Sequence, residues 1–234
     1  MKTYKHLFFD IDDTLLDFQA TEKEALRALF AEQNMVLTAE DERRYKVINQ
    51  GLWKAYENGK IDRDEVLNTR FSTFFMQYDL EMDGSLLEKK YRSYLEKGHQ
   101  VIDGAKDLIM HLHSQYELYI VTNGVSKTQD RRLKDSGLYP YFKNIFVSED
   151  TGFQKPMKEF FNYVFDRIPN YIPGQGLIIG DSLSADIKGG QLSGLDTCWF
   201  NPTRKENKSG VSPTYEIRKL KEIHRILPNL VKTL

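Results

Sequence analysis

The stretch LFFDIDDTLLD, Leu7 to Asp17, sets four acidic side chains immediately behind a short apolar run. Three of them, Asp10, Asp12 and Asp13, fall within four positions. A run of this kind reads as a strand buried on both faces, used to deliver mutually repelling carboxylates to one place. Two further runs end in the same manner: LYIVTNG, which closes on Thr122 to Gly124, and GLIIGDS, which closes on Gly180 to Ser182. Each is followed by a helix-like segment, the pattern of a doubly wound parallel sheet. In such sheets ligands bind beyond the carboxyl ends of the strands, where all three polar groups would lie. TCWF, Thr197 to Phe200, is expected as a fourth strand, and IFVSED from Ile145 as a weaker fifth.

More than a hundred residues separate the first of these strands from the second, too many for one crossover. Most of Phe18 to Gly98 reads as helix. Ala25, Leu26, Leu29 and Phe30 cluster on one amphipathic face, and Phe71, Phe74, Phe75 and Tyr78 repeat the pattern, with a breaker at Glu57-Asn58-Gly59-Lys60 between. The expected architecture is therefore an α/β, Rossmann-like core formed by residues 1–16 and 99–234, with an all-α domain, residues 17–98, inserted after the first strand. Val101 to His113 is expected as a helix leading into LYIVTNG. TRKENKSGVSP, from Thr203, is expected as an exposed loop before a last helix near Lys219 to Leu227.

The 234 residues carry 33 Lys and Arg against 34 Asp and Glu, so no global field draws in a nucleic-acid polymer or an anionic membrane. Cys198 is the only cysteine and can form no internal disulfide. The start of the chain lacks the apolar core of a secretory signal, and no apolar run approaches the roughly 20 residues needed to span a bilayer. These features predict a cytoplasmic protein; the near-neutral charge permits either a monomer or a homodimer.

If the chain turns sharply after Asp10, that side chain and Asp12 converge on one point. Asp181 ends another strand, and Asp186 follows in the next helix. Carboxylates so close repel unless a cation or proton is shared between them, and hard oxygen ligands suit Mg²⁺. Thr122, Asn123 and Gly124 offer a hydroxyl and backbone N–H groups at a strand-to-helix turn, a setting that binds anions. Lys155, in FQKPMKEFF, is a compact cation ahead of Pro156, which would suit a first helical position. With a phosphate so screened, Asp10 could attack phosphorus while Asp12 exchanged protons with the leaving oxygen and then with water. Asp13 reads instead as a capping or turn residue.

Together DIDDT, TN, the Lys of QKP and GDSLSAD resemble, in order and separation, the four motifs of the haloacid dehalogenase superfamily of phosphohydrolases. The resemblance implies Asp10 as nucleophile and metal ligand, and Asp12 as general acid/base that also gives its backbone carbonyl to Mg²⁺. It further implies Thr122, Asn123, Gly124 and Lys155 around the phosphoryl group, Asp181 as a metal ligand, and Thr14 and Asp186 in support. Asp13 stands where many relatives have Gly. The insertion corresponds to the family's helical cap, which closes over the site and selects substrate. GLWKAYENGKI, GFQKP and WFN are similar to the branch of pyrimidine 5′-nucleotidases, which implies a nucleoside monophosphate as substrate. Trp53, Tyr56 and Asn58 are candidates to line a nucleoside-binding cap face, the aromatic rings offering stacking surfaces, with packing in the helical core as the reading that helix aromatics more often satisfy. Phosphoglycolate, a sugar phosphate, a sugar phosphomutase reaction, carbon–halogen hydrolysis and a non-enzymatic binding role stay open as alternatives.

Overall fold

The computed structural model describes residues 2–227. Its frame is one six-stranded parallel sheet in the order β3-β2-β1-β4-β5-β6. The strands are β1 (His6–Phe9), β2 (Glu117–Thr122), β3 (Asn144–Val147), β4 (Gly176–Gly180), β5 (Asp196–Phe200) and β6 (Tyr215–Ile217). Alternation along the strands divides the core in two. Leu7, Phe9, Leu118, Ile120, Leu177 and Ile179 face one apolar cluster, while Phe8, Tyr119, Val121 and Ile178 face the other. Both faces being covered, the strands read as unbroken apolar runs.

The chain divides into two compact units, one running up to Asp17 and resuming at His99, the other spanning Phe18–Gly98. The second unit is all helix: α1 (Phe18–Glu32), α2 (Ala39–Glu57), α3 (Arg63–Met76) and α4 (Gly84–Leu95). Thr38, Asp62 and Asp83 cap the last three at their N-termini, each accepting the backbone N–H three residues on. Its interior holds Leu26, Leu29, Phe30, Phe71, Phe74 and Phe75, so both amphipathic faces point into one core. Tyr78 lies just beyond the end of α3 and packs there only in part.

The sheet unit adds α5 (Ala105–Leu112), α6 (Ser126–Asp135), α7 (Ser148–Thr151), α8 (Lys158–Phe165) and α9 (Lys188–Leu192). The helix expected from Val101 begins four residues late. Gly104 precedes it in the left-handed region, φ +76°, and Val101 instead bridges to Leu16. The expected last helix is a short 3₁₀ segment, Leu220–Arg225, and the unexpected strand β6 precedes it. Residues 203–210 are exposed.

Candidate active site

The register decides where the polar strand ends meet. Phe9 pairs with Ile120 on one side and Ile179 on the other, so Asp10 stands level with Val121 and Gly180. Thr122 and Asp181 lie one residue further along, a rise of roughly 3.3 Å. Behind Asp10 the chain coils around one carbonyl: Ile11 O accepts from Leu15 N at 2.8 Å and Leu16 N at 2.9 Å. That turn needs a left-handed residue at Asp13, φ +57°, a conformation Asp tolerates better than most and Gly adopts freely. Thr14 is fully buried, and its hydroxyl has no hydrogen-bond partner among the described residues.

Lys155 is the hub. Its Nζ donates to Asp10 Oδ1 at 2.8 Å, Asp186 Oδ1 at 2.6 Å and the Val121 carbonyl at 2.8 Å, which uses all three ammonium donors. Its backbone is gripped by the Asn123 side chain, whose Oδ1 accepts from Lys155 N and whose Nδ2 donates to Lys155 O, each at 2.9 Å. The Asn123 side chain is thus committed to holding Lys155. Pro156 is not the first helical residue: the Lys155–Pro156 peptide is cis and Met157 caps α8.

Asp186 comes from a π-helical turn, Leu183–Ile187, and its second oxygen accepts from Ser182 N at 3.0 Å. It fits only because Gly180 has no side chain; a Cβ there would lie 2.2 Å from Asp186 Oδ2. Asp181 is steadied through its carbonyl by Trp199 Nε1 at 2.9 Å. Asp10, Asp181 and Asp186 each offer a carboxylate oxygen within 4.8 Å of the others. Burial pushes the Asp10 carboxyl well up, the nearby acids add to this, and Lys155 opposes it. Asp181 is pushed up to about 7, chiefly by burial and then by Asp186. Burial alone would lower Lys155, but the Asp10 and Asp186 carboxylates overcome it and hold the ammonium charged. Three converging carboxylates beside one buried amine have a need for further positive charge, and an all-oxygen donor set fits Mg²⁺.

The Thr122 hydroxyl accepts from Gly124 N and from Gln129 Nε2, each at 3.1 Å. With both lone pairs used, its proton is left to donate outward. Asp12 accepts from two side chains that the sequence had not singled out, Gln129 Nε2 at 2.7 Å and Arg132 Nη1 at 2.5 Å. The one available signal was the composition of α6, SKTQDRRLKD, which has Leu133 as its sole apolar residue yet lies directly after the TNG turn. Gly124 serves this contact as well, since a Cβ there would lie 2.5 Å from Gln129 Nε2.

In the helical unit, Trp53 packs edge-on against Tyr56, ring centroids 5.7 Å apart, near the end of α2. Tyr56 is buried, whereas Asn58 is exposed and donates to Lys54 O at 2.7 Å, closing that helix.

Comparison with known proteins identifies the family. The haloacid dehalogenase-like hydrolase family matches residues 4–194. YfnB of Bacillus subtilis (strain 168), named as a HAD-hydrolase, is 65% identical over 97% of both chains. Its crystal structure bound to magnesium superposes with a TM-score of 0.94, covering 97% of this chain and 100% of that one. The pyrimidine 5′-nucleotidase PynA of Streptococcus pneumoniae is 43% identical over 92% of this chain and 91% of its own. The pyrimidine 5′-nucleotidase YjjG of Escherichia coli (strain K12) is 31% identical, covering 94% and 96%. The chain belongs to the haloacid dehalogenase-like hydrolases, in the branch that holds these pyrimidine 5′-nucleotidases.

Proposed function

We propose that this enzyme, a phosphoric monoester hydrolase, is a Mg²⁺-dependent phosphatase that removes phosphate from nucleoside 5′-monophosphates, pyrimidine nucleotides foremost, through an aspartyl-phosphate. The observation that carries the reading is the meeting of Asp10, Lys155 and Asp186, with Lys155 Nζ 2.8 and 2.6 Å from the two acids, at the ends of strands remote in sequence. The carboxylates of Asp10 and Asp181 and the backbone carbonyl of Asp12 would hold the ion. Bound there, Mg²⁺ would offset the surplus negative charge and polarise the phosphoryl group.

The chain's own residues account for the rest. An Asp10 oxygen forms a bond to phosphorus as the ester P–O bond breaks, and Asp12 gives its proton to the departing ribose oxygen. Asp12 then takes a proton from water as that water attacks phosphorus and frees Asp10, releasing inorganic phosphate. Lys155, the Thr122 hydroxyl and the backbone N–H groups of Asn123 and Gly124 hold the phosphoryl oxygens, while Asp186 keeps Lys155 in place. Trp53, Tyr56 and Asn58, all on the helical unit, are the proposed substrate-binding residues of a cap. A small phosphate ester is the partner, with no polymer or membrane surface needed. No described helix is long and apolar enough to cross a membrane. The free, buried Cys198 suits a reducing cytoplasm.

A hydrolysis screen with Mg²⁺ across nucleoside monophosphates, sugar phosphates and phosphoglycolate tests the substrate. Highest kcat/KM for UMP or dTMP is expected, with turnover lost in Asp10→Asn and on chelation. A preference for a sugar phosphate would overturn the nucleotidase reading, and full activity in Asp10→Asn would overturn the mechanism.

A further inference from the structure

Asp12 is gripped from α6 in a way the reaction as described does not use. Arg132 Nη1 reaches Asp12 Oδ1 at 2.5 Å and Gln129 Nε2 reaches Oδ2 at 2.7 Å, so each carboxylate oxygen receives one donor. The two donors stand three residues apart, on one face of the helix. They are also joined to each other, since Gln129 Oε1 accepts from Arg132 Nη1 at 2.9 Å, which fixes the direction of the amide. The other proton on Gln129 Nε2 points to Thr122 Oγ1 at 3.1 Å.

Both side chains are 1% exposed. Burying a guanidinium and an amide costs several kcal/mol unless their donors find acceptors, and Asp12 is an acceptor that the two share. Packing alone gives α6 no reason for them, since Leu133 supplies its apolar anchor to the core. The neighbouring turn is shaped around the pair as well. At Gly124 a Cβ would lie 2.5 Å from Gln129 Nε2 and 2.8 Å from its Cδ, so the amide reaches Asp12 only across a residue without a side chain.

We propose that Gln129 and Arg132 are positioning residues for proton transfer: they fix the plane and direction of the Asp12 carboxyl against the departing oxygen, and Gln129 couples that carboxyl to the phosphate-facing hydroxyl of Thr122. This rests on the reading of Asp12 as general acid/base. Each carboxyl oxygen keeps a second lone-pair direction for the substrate. In the first step the Asp12 proton passes to the ester oxygen as the Asp10–phosphorus bond forms and the ester bond breaks. In the second, the same oxygen takes a proton from the attacking water. A loosened carboxyl would still be present, but seldom aimed.

The discriminating measurement is kcat/KM, which covers the steps through leaving-group departure, on two esters that differ in their need for a proton. A nucleoside 5′-monophosphate expels a basic alkoxide, whereas 4-nitrophenyl phosphate expels a stable phenolate. Gln129→Leu and Arg132→Lys are expected to lower kcat/KM on the nucleotide about ten-fold or more, against roughly three-fold or less on the aryl ester, within the roughly 10²–10⁴-fold that acid–base catalysis supplies. In an Asp12→Ala background neither substitution should lower the aryl-ester rate further. Equal losses on both esters that persist in the Asp12→Ala background would overturn the proposal and leave the pair a merely structural role. Wild-type kcat/KM in both variants, with Asp12→Ala impaired on the nucleotide, would overturn it too. An Asp12→Ala enzyme undiminished on the nucleotide is a separate result, which removes Asp12 from its role. If Arg132→Lys does not fold, as judged by its thermal transition, the near-isosteric Gln129→Leu decides alone.

Discussion

Both units bury charge, but they balance it differently. Inside the helical unit, Arg70 is 1% exposed and donates through Nε to Glu88 at 2.9 Å and through Nη1 to Asn49 at 3.2 Å. Arg92 pairs with the other oxygen of Glu88, and Asn49 Nδ2 donates to Glu22 at 3.0 Å. The Arg70 guanidinium also lies 4.8 Å from the Tyr91 ring centroid. Two arginines thus answer two glutamates. At the sheet ends, Asp10, Asp12, Asp181 and Asp186 are answered by two buried cations, Lys155 and Arg132. Against the buried cations the surplus is two negative charges, that of one divalent ion; the exposed Lys205, 3.7 Å from Asp181, meets it only weakly. A balanced cluster is a structural device; an unbalanced one is waiting for something, and the imbalance rather than the burial marks the site.

Cutting the hub should do the most damage. Lys155→Met would leave three acids with no amine between them, so turnover is expected to vanish and the thermal transition to fall steeply, with partial recovery on adding Mg²⁺. Enzyme assay with calorimetry, with and without Mg²⁺, checks it; a stable, active variant would remove Lys155 from the centre of the argument. Next comes the balanced cluster. Glu88→Gln strands Arg70 and Arg92, and breaking such a buried pair costs roughly 3–5 kcal/mol. Urea unfolding of the variant should show that loss, and because this cluster carries no surplus charge, Mg²⁺ should restore none of it. Smaller again is the effect of the ion on the wild type. At 100-fold excess over Kd it should stabilise the fold by about 2.7 kcal/mol, read as a rise in Tm that chelator reverses.

How far the sequence reached follows the same division. β1, β2 and β4 were legible because each is an apolar run buried on both faces that stops on a polar residue. β6 was not: Tyr215-Glu216-Ile217 alternates as an edge strand should, but three residues are too few for alternation to stand out. The start of α5 depended on the backbone of Gly104, and the last segment was too short for periodicity to tell 3₁₀ from α. Asp10, Thr122, Lys155 and Asp181 could be picked out because each ends or follows a strand or follows a breaker. Gln129 and Arg132 could not, because polar residues three apart on a polar helix look like a solvated face until the partner is known. Arg70 and Glu88 hid in the same way, eighteen residues apart on different helices.

The mildest effect is also the most direct probe of the surplus. Asp181 has its carboxyl raised to about 7 by burial, then by Asp186 and Asp13, against the weaker pull of Lys205 and Lys155. In the unfolded chain the same group titrates near ~3.9. A carboxyl raised on folding favours the protonated form of the native state, so its stabilising contribution is complete below about pH 4 and fades as pH climbs through 7. Without Mg²⁺ the wild type should therefore lose roughly 2 kcal/mol of stability between pH 5 and 7.5, stability that Asp181→Asn keeps. With Mg²⁺ present the ionised acid is the favoured partner, so the wild type should recover that stability while the variant gains little. Urea midpoints at the two pH values, each with chelator or Mg²⁺, give the four numbers required. A variant as pH-sensitive as the wild type in chelator would mean that Asp181 does not carry the excess charge, and the surplus would then have to be traced to Asp10 and Asp186.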